Sequence, residues 1–141
     1  MQKQHVLFVS TFNGCRSQMA EAFLNHIAPD RFFAQSAGIE SGALDPAAVE
    51  AMKEYGIDIS SNNVKNVDDF YRQKMFFDYV IITCERETIK ECPSFPGITQ
   101  KINWSFSNTS RLAADYKERL EKTKQARDAI RAKVQDFVMH Y

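Results

Sequence analysis

Apolar residues along the chain form two kinds of pattern, short continuous runs and longer stretches with helical spacing. The runs at 5–10, 31–36, 77–83 and 101–104 are rich in β-branched and aromatic residues, which predicts strands. The stretches at 17–28, 45–56, 67–74 and 112–141 carry apolar residues at steps of three and four, which predicts helices, the first with Glu21 in its first turn. The run at 77–83 is almost continuously apolar, which is typical of a parallel strand buried on both faces.

The alternation of strands and helices indicates βαβ units. It predicts an α/β fold with three layers (αβα), in which a central sheet of about four parallel strands has helices on both faces. A length of 141 residues suits one domain, and no repeat or low-complexity tract divides the chain, so residues 1–141 are expected to form a single domain. Ligands of such sheets bind beyond the carboxyl ends of the strands.

Charge and composition narrow the possible functions. The 18 basic and 18 acidic residues cancel, which argues against a nucleic-acid binder, because such proteins usually carry a basic surplus. Seven Lys and Arg residues between 117 and 133 lie among acidic ones, and we interpret them as a solvated helix face. The sequence shows neither a signal peptide nor a membrane span, which predicts a cytoplasmic protein without membrane contact.

The three cysteines, at positions 15, 84 and 92, fit neither a disulfide framework nor a zinc site. Their number is odd and no two are separated by only two residues. Thiols stay reduced in the cytoplasm, so each is expected to be a buried or a reactive residue. No metal or other cofactor is predicted.

The turn between the first strand and the first helix, residues 10–17, has the composition of an anion-binding loop. Its backbone N–H groups meet the positive end of the helix dipole. Arg16 adds a planar guanidinium that can hold two oxygens of a tetrahedral oxyanion. The alternative interpretation is an ordinary polar turn that contains an arginine.

Several segments resemble a known family. Residues 6–21, VLFVSTFNGCRSQMAE, resemble the signature of the low-molecular-weight protein tyrosine phosphatase superfamily. Residues 36–40, 50–54 and 56–60 (SAGIE, EAMKE and GIDIS) resemble its thioredoxin-coupled arsenate reductase branch, and the similarity extends from about 5 to 137. This resemblance implies reduction of arsenate to arsenite with thioredoxin as external reductant. It also implies that arsenate, phosphate or sulfate binds in the loop.

The resemblance assigns roles within the loop. Arg16 would hold the oxyanion, Ser17 would support the attacking residue, and position 10, usually cysteine, carries Ser10. The loop offers no general base to ionise a hydroxyl, so we expect the chain as written to bind the oxyanion without forming a covalent adduct. An engineered replacement and natural divergence both remain open as explanations of Ser10. The other implied oxyanion-binding positions are Thr11, Phe12, Asn13, Gly14 and Cys15.

The two distal cysteines have a role in the same resemblance. Cys84 follows the strand at 77–83 and would attack the arseno adduct, and Cys92 would complete a disulfide for thioredoxin. If 84–92 were helical, their Cα atoms would lie about 12 Å apart, beyond the limit of about 7 Å for a disulfide. Oxidation would then require this segment to unwind. The alternative is that both are small core residues.

Two departures from the family pattern affect the expected activity. The resemblance implies a general-acid aspartate on a late loop of the phosphatases, and one after an aromatic motif like that at 103–106 in the reductase branch. This chain has Ser107 at that position, which argues against a tyrosine phosphatase. A tyrosine phosphatase and a non-catalytic oxyanion-binding protein are therefore the alternatives to the reductase. Asn13, Glu21 and Ser36 match positions that surround a monovalent cation in some arsenate reductases, but the fourth position is Lys65. Its ammonium is expected in the cation's place, which predicts no potassium stimulation.

Overall fold

A computed structural model describes residues 2–11, 13–40, 42–83, 100–104 and 115–141. The predicted strands and helices are all present within these ranges, with bounds shifted by a few residues. In chain order they are β1 (Gln4–Ser10), α1 (Arg16–Ile27), β2 (Phe32–Gly38), α2 (Pro46–Lys53), α3 (Val67–Arg72), β3 (Tyr79–Ile82), β4 (Gln100–Asn103) and α4 (Tyr116–His140). The predicted start of the last helix, at Leu112, lies outside the described residues.

The four strands form one parallel sheet in the order β2-β1-β3-β4. One face packs against α1, α2 and α4, and the other face packs against α3. The predicted α/β fold with three layers and a parallel sheet is therefore confirmed. No helix within the described ranges has the length and apolar character that crossing a membrane requires.

The central strand β1 determines where the loop lies. Its residues 6–9 are completely buried because strands flank it on both edges and helices cover both faces. Phe8 packs on the side of α1, whereas Leu7 and Val9 pack on the side of α3. Full burial of each such side chain contributes roughly 1.5–3 kcal/mol, so the strand is fixed firmly. Its last residue, Ser10, stands at the carboxyl edge of the sheet, where the site was expected.

Two predictions about charged residues were wrong. Glu21 does not lie in the first turn of α1, because that helix begins at Arg16 and its first turn holds no acidic residue. Arg127 is not solvated, since its side chain is only 8 % exposed. Its Nη1 donates to the carbonyl of Ala51 at 2.9 Å and contacts Glu54, which ties α4 to the C-terminal end of α2. A guanidinium there satisfies an end carbonyl of that helix.

Candidate functional site

The loop from Ser10 to Ser17 joins the carboxyl end of β1 to α1, as predicted, and all of it except Phe12 is described. Arg16 is 8 % exposed and Ser17 is completely buried. The N–H groups of residues 16–18 belong to the first helical turn, where no intrahelical acceptor exists. Together with the helix dipole they make this edge of the sheet favourable for an anion.

Described residues of the segment 39–45 hold the loop from one side by donating hydrogen bonds to its carbonyls. Three backbone N–H groups of this segment donate to three loop carbonyls, so those carbonyls are occupied on the outer side. Gly14 is required here, because a Cβ at this position would lie 2.3 Å from the carbonyl oxygen of Ala43. The three bonds are Ile39 to Ser10 at 3.1 Å, Glu40 to Thr11 at 2.8 Å and Asp45 to Gly14 at 2.8 Å.

Asn13 organises the interior of the loop. It is completely buried and adopts the left-handed conformation with φ of 55°, which asparagine tolerates better than most residues. Its Oδ1 accepts the backbone N–H of Lys65 at 2.9 Å, and its Nδ2 donates to Ser17 Oγ at 2.8 Å. Because a backbone N–H can only donate, the orientation of the Asn13 amide is fixed.

Gln18 connects the loop to the segment 62–65, and the sequence reasoning missed it. Its Nε2 donates to Asn13 Oδ1 and to the carbonyl of Asn63, both at 3.1 Å. Its Oε1 accepts from Asn62 Nδ2 at 3.0 Å. In the sequence, Gln18 is an ordinary polar residue in the first turn of a predicted helix. No sequence pattern indicates that it is completely buried.

Ser10 occupies the position expected of the attacking residue and is held by two hydrogen bonds. Its Oγ lies 2.6 Å from Ser17 Oγ and accepts the backbone N–H of Asn13 at 3.0 Å. Its side chain is 4 % exposed. Neither partner is a base that could remove the hydroxyl proton. These contacts therefore suit a Ser10 that binds a ligand and does not attack it.

Lys65 lies where the sequence reasoning expected it. Its Nζ is 3.4 Å from Glu21 Oε1, which also accepts from Ser36 Oγ at 3.2 Å. Burial raises the pKa of Glu21, and the Lys65 ammonium opposes part of that increase. The ammonium thus contacts one of the three residues matched to the cation site. That it takes the cation's place, and that potassium does not stimulate the protein, stay predictions.

Cys15 is the N-cap residue of α1 and faces a charged pair that the sequence reasoning also missed. Arg119 Nη2 lies 2.7 Å from Asp45 Oδ1, which also caps α2 by accepting the N–H of Ala47 at 2.9 Å. Although Cys15 keeps partial exposure, burial and the Asp45 carboxylate raise the pKa of its thiol to about 12, against the lowering effect of Arg16 and Arg119. The thiol is therefore neutral at physiological pH, which argues against Cys15 acting as the nucleophile in place of Ser10.

Four of the predicted site residues, Phe12, Cys84, Cys92 and Ser107, lie outside the described residues. The nearest described residue before Cys84 is Thr83. Its N–H and its Oγ1 both donate to the carbonyl of Val9, at 2.8 and 3.0 Å, so the chain reaches this point at the same edge as Ser10. The roles of Cys84, Cys92 and Ser107 stay predictions.

Known proteins are similar to this chain in both sequence and fold. An arsenate reductase of Halalkalibacterium halodurans is 34 % identical over 137 residues, which cover 97 % of this chain and 96 % of the relative. The structure of an arsenate reductase in the phosphate binding state superposes with a TM-score of 0.75 at 26 % identity, covering 96 % and 97 % of the two chains. A thioredoxin-dependent arsenate reductase of Corynebacterium glutamicum gives a TM-score of 0.62 at 27 % identity, covering 94 % of this chain and 62 % of the other.

Residues 5–139 match the family described as low molecular weight phosphotyrosine protein phosphatase. This range begins in β1 and ends in α4, so it includes the loop, the whole sheet and every described helix. The match and the arsenate reductase relatives together confirm the resemblance that the sequence suggested. The chain therefore belongs to the low molecular weight phosphotyrosine protein phosphatase family, which includes arsenate reductases as well as phosphatases.

Proposed function

We propose that the loop 10–17 binds a tetrahedral oxyanion, arsenate above all, and that the chain with Ser10 does not reduce it. The observation that carries this proposal is the setting of Ser10 Oγ, which is held by Ser17 Oγ and by the N–H of Asn13. Both contacts position an oxygen at the entrance of an anion-binding helix terminus. Neither of them ionises a hydroxyl, which is needed for attack on arsenic.

Two further observations support binding of an oxyanion. The buried Arg16 side chain in the first helical turn adds a positive charge to the N–H groups of that turn. A solved relative of similar fold is described as an arsenate reductase in the phosphate binding state. Phosphate and arsenate have the same tetrahedral shape and charge, so a loop that fits one also fits the other.

In a form with cysteine at position 10, we propose a relay of three thiols. The thiolate at position 10 displaces one oxygen of arsenate, which leaves as water. The Cys84 thiol then attacks the sulfur of the adduct and forms a disulfide with position 10, and arsenite leaves with the electron pair of the broken sulfur–arsenic bond. Cys92 then attacks the disulfide and becomes paired with Cys84, and the thioredoxin dithiol reduces that pair. The thioredoxin-dependent relative of similar fold supports the choice of reductant, and the placement of Thr83 beside Val9 supports the shared edge.

The second candidate is a tyrosine phosphatase, which the family itself includes. This reaction needs an acid that protonates the phenolate leaving group. Ser107 stands where that acid is expected, and its hydroxyl cannot deliver a proton as a carboxylic acid does. In arsenate reduction the displaced oxygen leaves as water and not as a phenolate, so the reductase reaction fits this chain better.

The Ser10→Cys variant tests the proposed function directly. With arsenate, thioredoxin, thioredoxin reductase and NADPH, we expect arsenite formation and NADPH oxidation by Ser10→Cys but not by the unchanged chain. Ser10→Cys with Cys92→Ala should stop after the first turnover. Aryl phosphate hydrolysis by Ser10→Cys in place of arsenate reduction would favour the phosphatase. Arsenate turnover by the unchanged chain would contradict the proposal.

A further inference from the structure

The hydrogen bonds behind Ser10 have a single direction because two backbone groups fix it. The N–H of Lys65 can only donate, so it fixes Asn13 Oδ1 as an acceptor. The carbonyl of Asn63 can only accept, so it fixes Gln18 Nε2 as a donor. Asn13 Nδ2 must therefore donate to Ser17 Oγ, as its 2.8 Å distance indicates.

The direction of these bonds determines where the proton of Ser17 points. Ser17 is completely buried, and one of its lone pairs accepts from Asn13 Nδ2. Within the described ranges, Ser10 Oγ at 2.6 Å is the other polar partner of its hydroxyl. In either direction one of the two hydroxyl protons lacks an acceptor among the described residues, which costs about 1–3 kcal/mol when neither solvent nor a ligand reaches it. If Ser10 donated, that proton would be the one on the completely buried Ser17, whereas Ser10 lies at the end of β1 and keeps slight exposure. Ser17 therefore donates to Ser10.

Ser10 Oγ consequently accepts two hydrogen bonds, from the hydroxyl of Ser17 and from the N–H of Asn13. A hydroxyl has two lone pairs and one proton, so both lone pairs are occupied. The proton of Ser10 finds no acceptor among the residues described. Ser10 is only 4 % exposed, so this donor is almost entirely buried. It lies at the entrance of an anion-binding loop, where a bound ligand can accept its proton.

We propose that the Ser10 hydroxyl donates its proton to an oxygen of the bound oxyanion, so that the loop selects doubly charged oxyanions over singly charged ones. This inference rests on the proposed oxyanion binding. The groups that this proposal places against the oxyanion are the N–H groups of the first helical turn, the Arg16 guanidinium and the Ser10 hydroxyl, and all of them are donors. A dihydrogen phosphate ion carries two protons that need acceptors, whereas hydrogen phosphate carries one, which can point to solvent, and sulfate carries none.

Among the described residues around the loop, the acidic side chains are paired with basic ones or exposed. Asp45 is paired with Arg119, and Glu21 is paired with Lys65. Glu40 is exposed on the segment 39–45. The thiol of Cys15 stays neutral, since its pKa is raised to about 12. Thr83 and Asn103, at the ends of the neighbouring strands, carry no charge, and the three histidines, at 5, 26 and 140, lie outside the loop.

Calorimetric titrations with phosphate and with sulfate at pH 6 and pH 8 test the inference. The second ionisation of phosphate lies near neutral pH, so the Kd of phosphate should fall roughly tenfold as the doubly charged fraction rises. Sulfate has no proton to lose in this range, so its Kd should change by less than about twofold, which also controls for titration of the protein.

Two variants separate the donor from a general structural effect. Ser10→Ala removes the proposed donor and should raise the Kd of both anions roughly tenfold or more, because hydrogen bonds to charged groups are stronger than those between neutral groups. Thr123→Val removes another buried hydroxyl, which donates to the carbonyl of Arg119 at 2.8 Å in α4. It should leave both Kd values unchanged.

The outcomes distinguish the inference from the proposed function. A phosphate Kd that does not change with pH, or that changes in parallel with the sulfate Kd, would overturn the selection of doubly charged ions. Equal affinities of the unchanged chain and of Ser10→Ala would overturn the role of the Ser10 proton and leave oxyanion binding intact. If neither anion binds at either pH, the proposed function itself fails.

Discussion

The oxyanion loop is held from two sides by different interactions. On one side, the amide side, Asn13 and Gln18 bind the segment 62–65 through neutral hydrogen bonds, and both side chains are completely buried. On the other side, the ionic side, Asp45 pairs with Arg119 of α4, and the two side chains are 21 % and 38 % exposed. The first side consists of buried, directional hydrogen bonds, and the second consists of a partly exposed ion pair.

This difference indicates which side controls the chemistry at position 10. A buried amide has a fixed donor and a fixed acceptor, so it determines where the neighbouring protons point. An exposed ion pair attracts without fixing a proton, and salt screens it. We therefore expect changes on the amide side to affect stability and the loop itself, and changes on the ionic side to have small and salt-dependent effects.

The largest expected effect comes from Asn13. Asn13→Ala leaves the N–H of Lys65 without its acceptor, removes one of the two hydrogen bonds of the Ser17 hydroxyl, and places alanine at positive φ. Together these should lower the free energy of unfolding by about 2–4 kcal/mol. Urea denaturation measures the loss. Asn13→Gly keeps the conformation and removes the same side chain, so it should lose less than alanine does. A loss for Asn13→Ala below that of Arg119→Ala would contradict the comparison.

A smaller effect is expected from Lys65, which compensates the buried charge of Glu21. Lys65→Met should destabilise the protein by about 1–2 kcal/mol at pH 8, allowing for the partial exposure of the pair. Without the ammonium, the already raised pKa of Glu21 rises further. The folded state then holds its proton to higher pH than the unfolded state, so the deficit should be small near pH 4 and grow as pH rises.

Two further measurements test the pairing of Lys65 with Glu21. Adding Glu21→Gln to Lys65→Met removes the uncompensated carboxylate and should recover most of the loss at pH 8. The unchanged chain should unfold at the same urea concentration in potassium chloride and in sodium chloride, because the ammonium already contacts Glu21. Stabilisation specific to potassium would contradict this interpretation.

The smallest effect is expected on the ionic side. Arg119→Ala should cost less than about 1 kcal/mol, and the cost should shrink as salt increases. Asp45→Asn removes the same charge pair and keeps a side-chain oxygen for the cap of α2. A double-mutant cycle between the two variants at low and high salt measures the coupling. A coupling that does not depend on salt would show that this pair is not screened as its exposure suggests.

The sequence was sufficient to predict what depends on local patterns. The apolar runs marked all four strands, and the order of strands and helices indicated the parallel sheet. The position of Ser10 followed from this, because the loop after the first strand lies at the carboxyl edge of such a sheet. Lys65 was also placed correctly beside Glu21, through the resemblance to related proteins.

The contacts that the sequence did not reveal join residues far apart in the chain. Gln18 binds a segment more than 40 residues later, and Arg119 binds Asp45 across 74 positions. Arg127 appeared to belong to a solvated face, yet it is buried against the end of α2. Helical spacing shows which residues share a face, but the direction of a polar side chain depends on partners that only the folded chain brings near.

The central claim is that the loop binds an oxyanion while Ser10 prevents its reduction, and titration of the unchanged, ¹⁵N-labelled chain with arsenate tests it most directly. We expect the amide signals of Asn13, Gly14 and Arg16 to shift and saturate, with no arsenite formed and no thiol lost in the presence of reduced thioredoxin. Loop signals that stay in place at millimolar arsenate, or arsenite formed with loss of thiols, would contradict it.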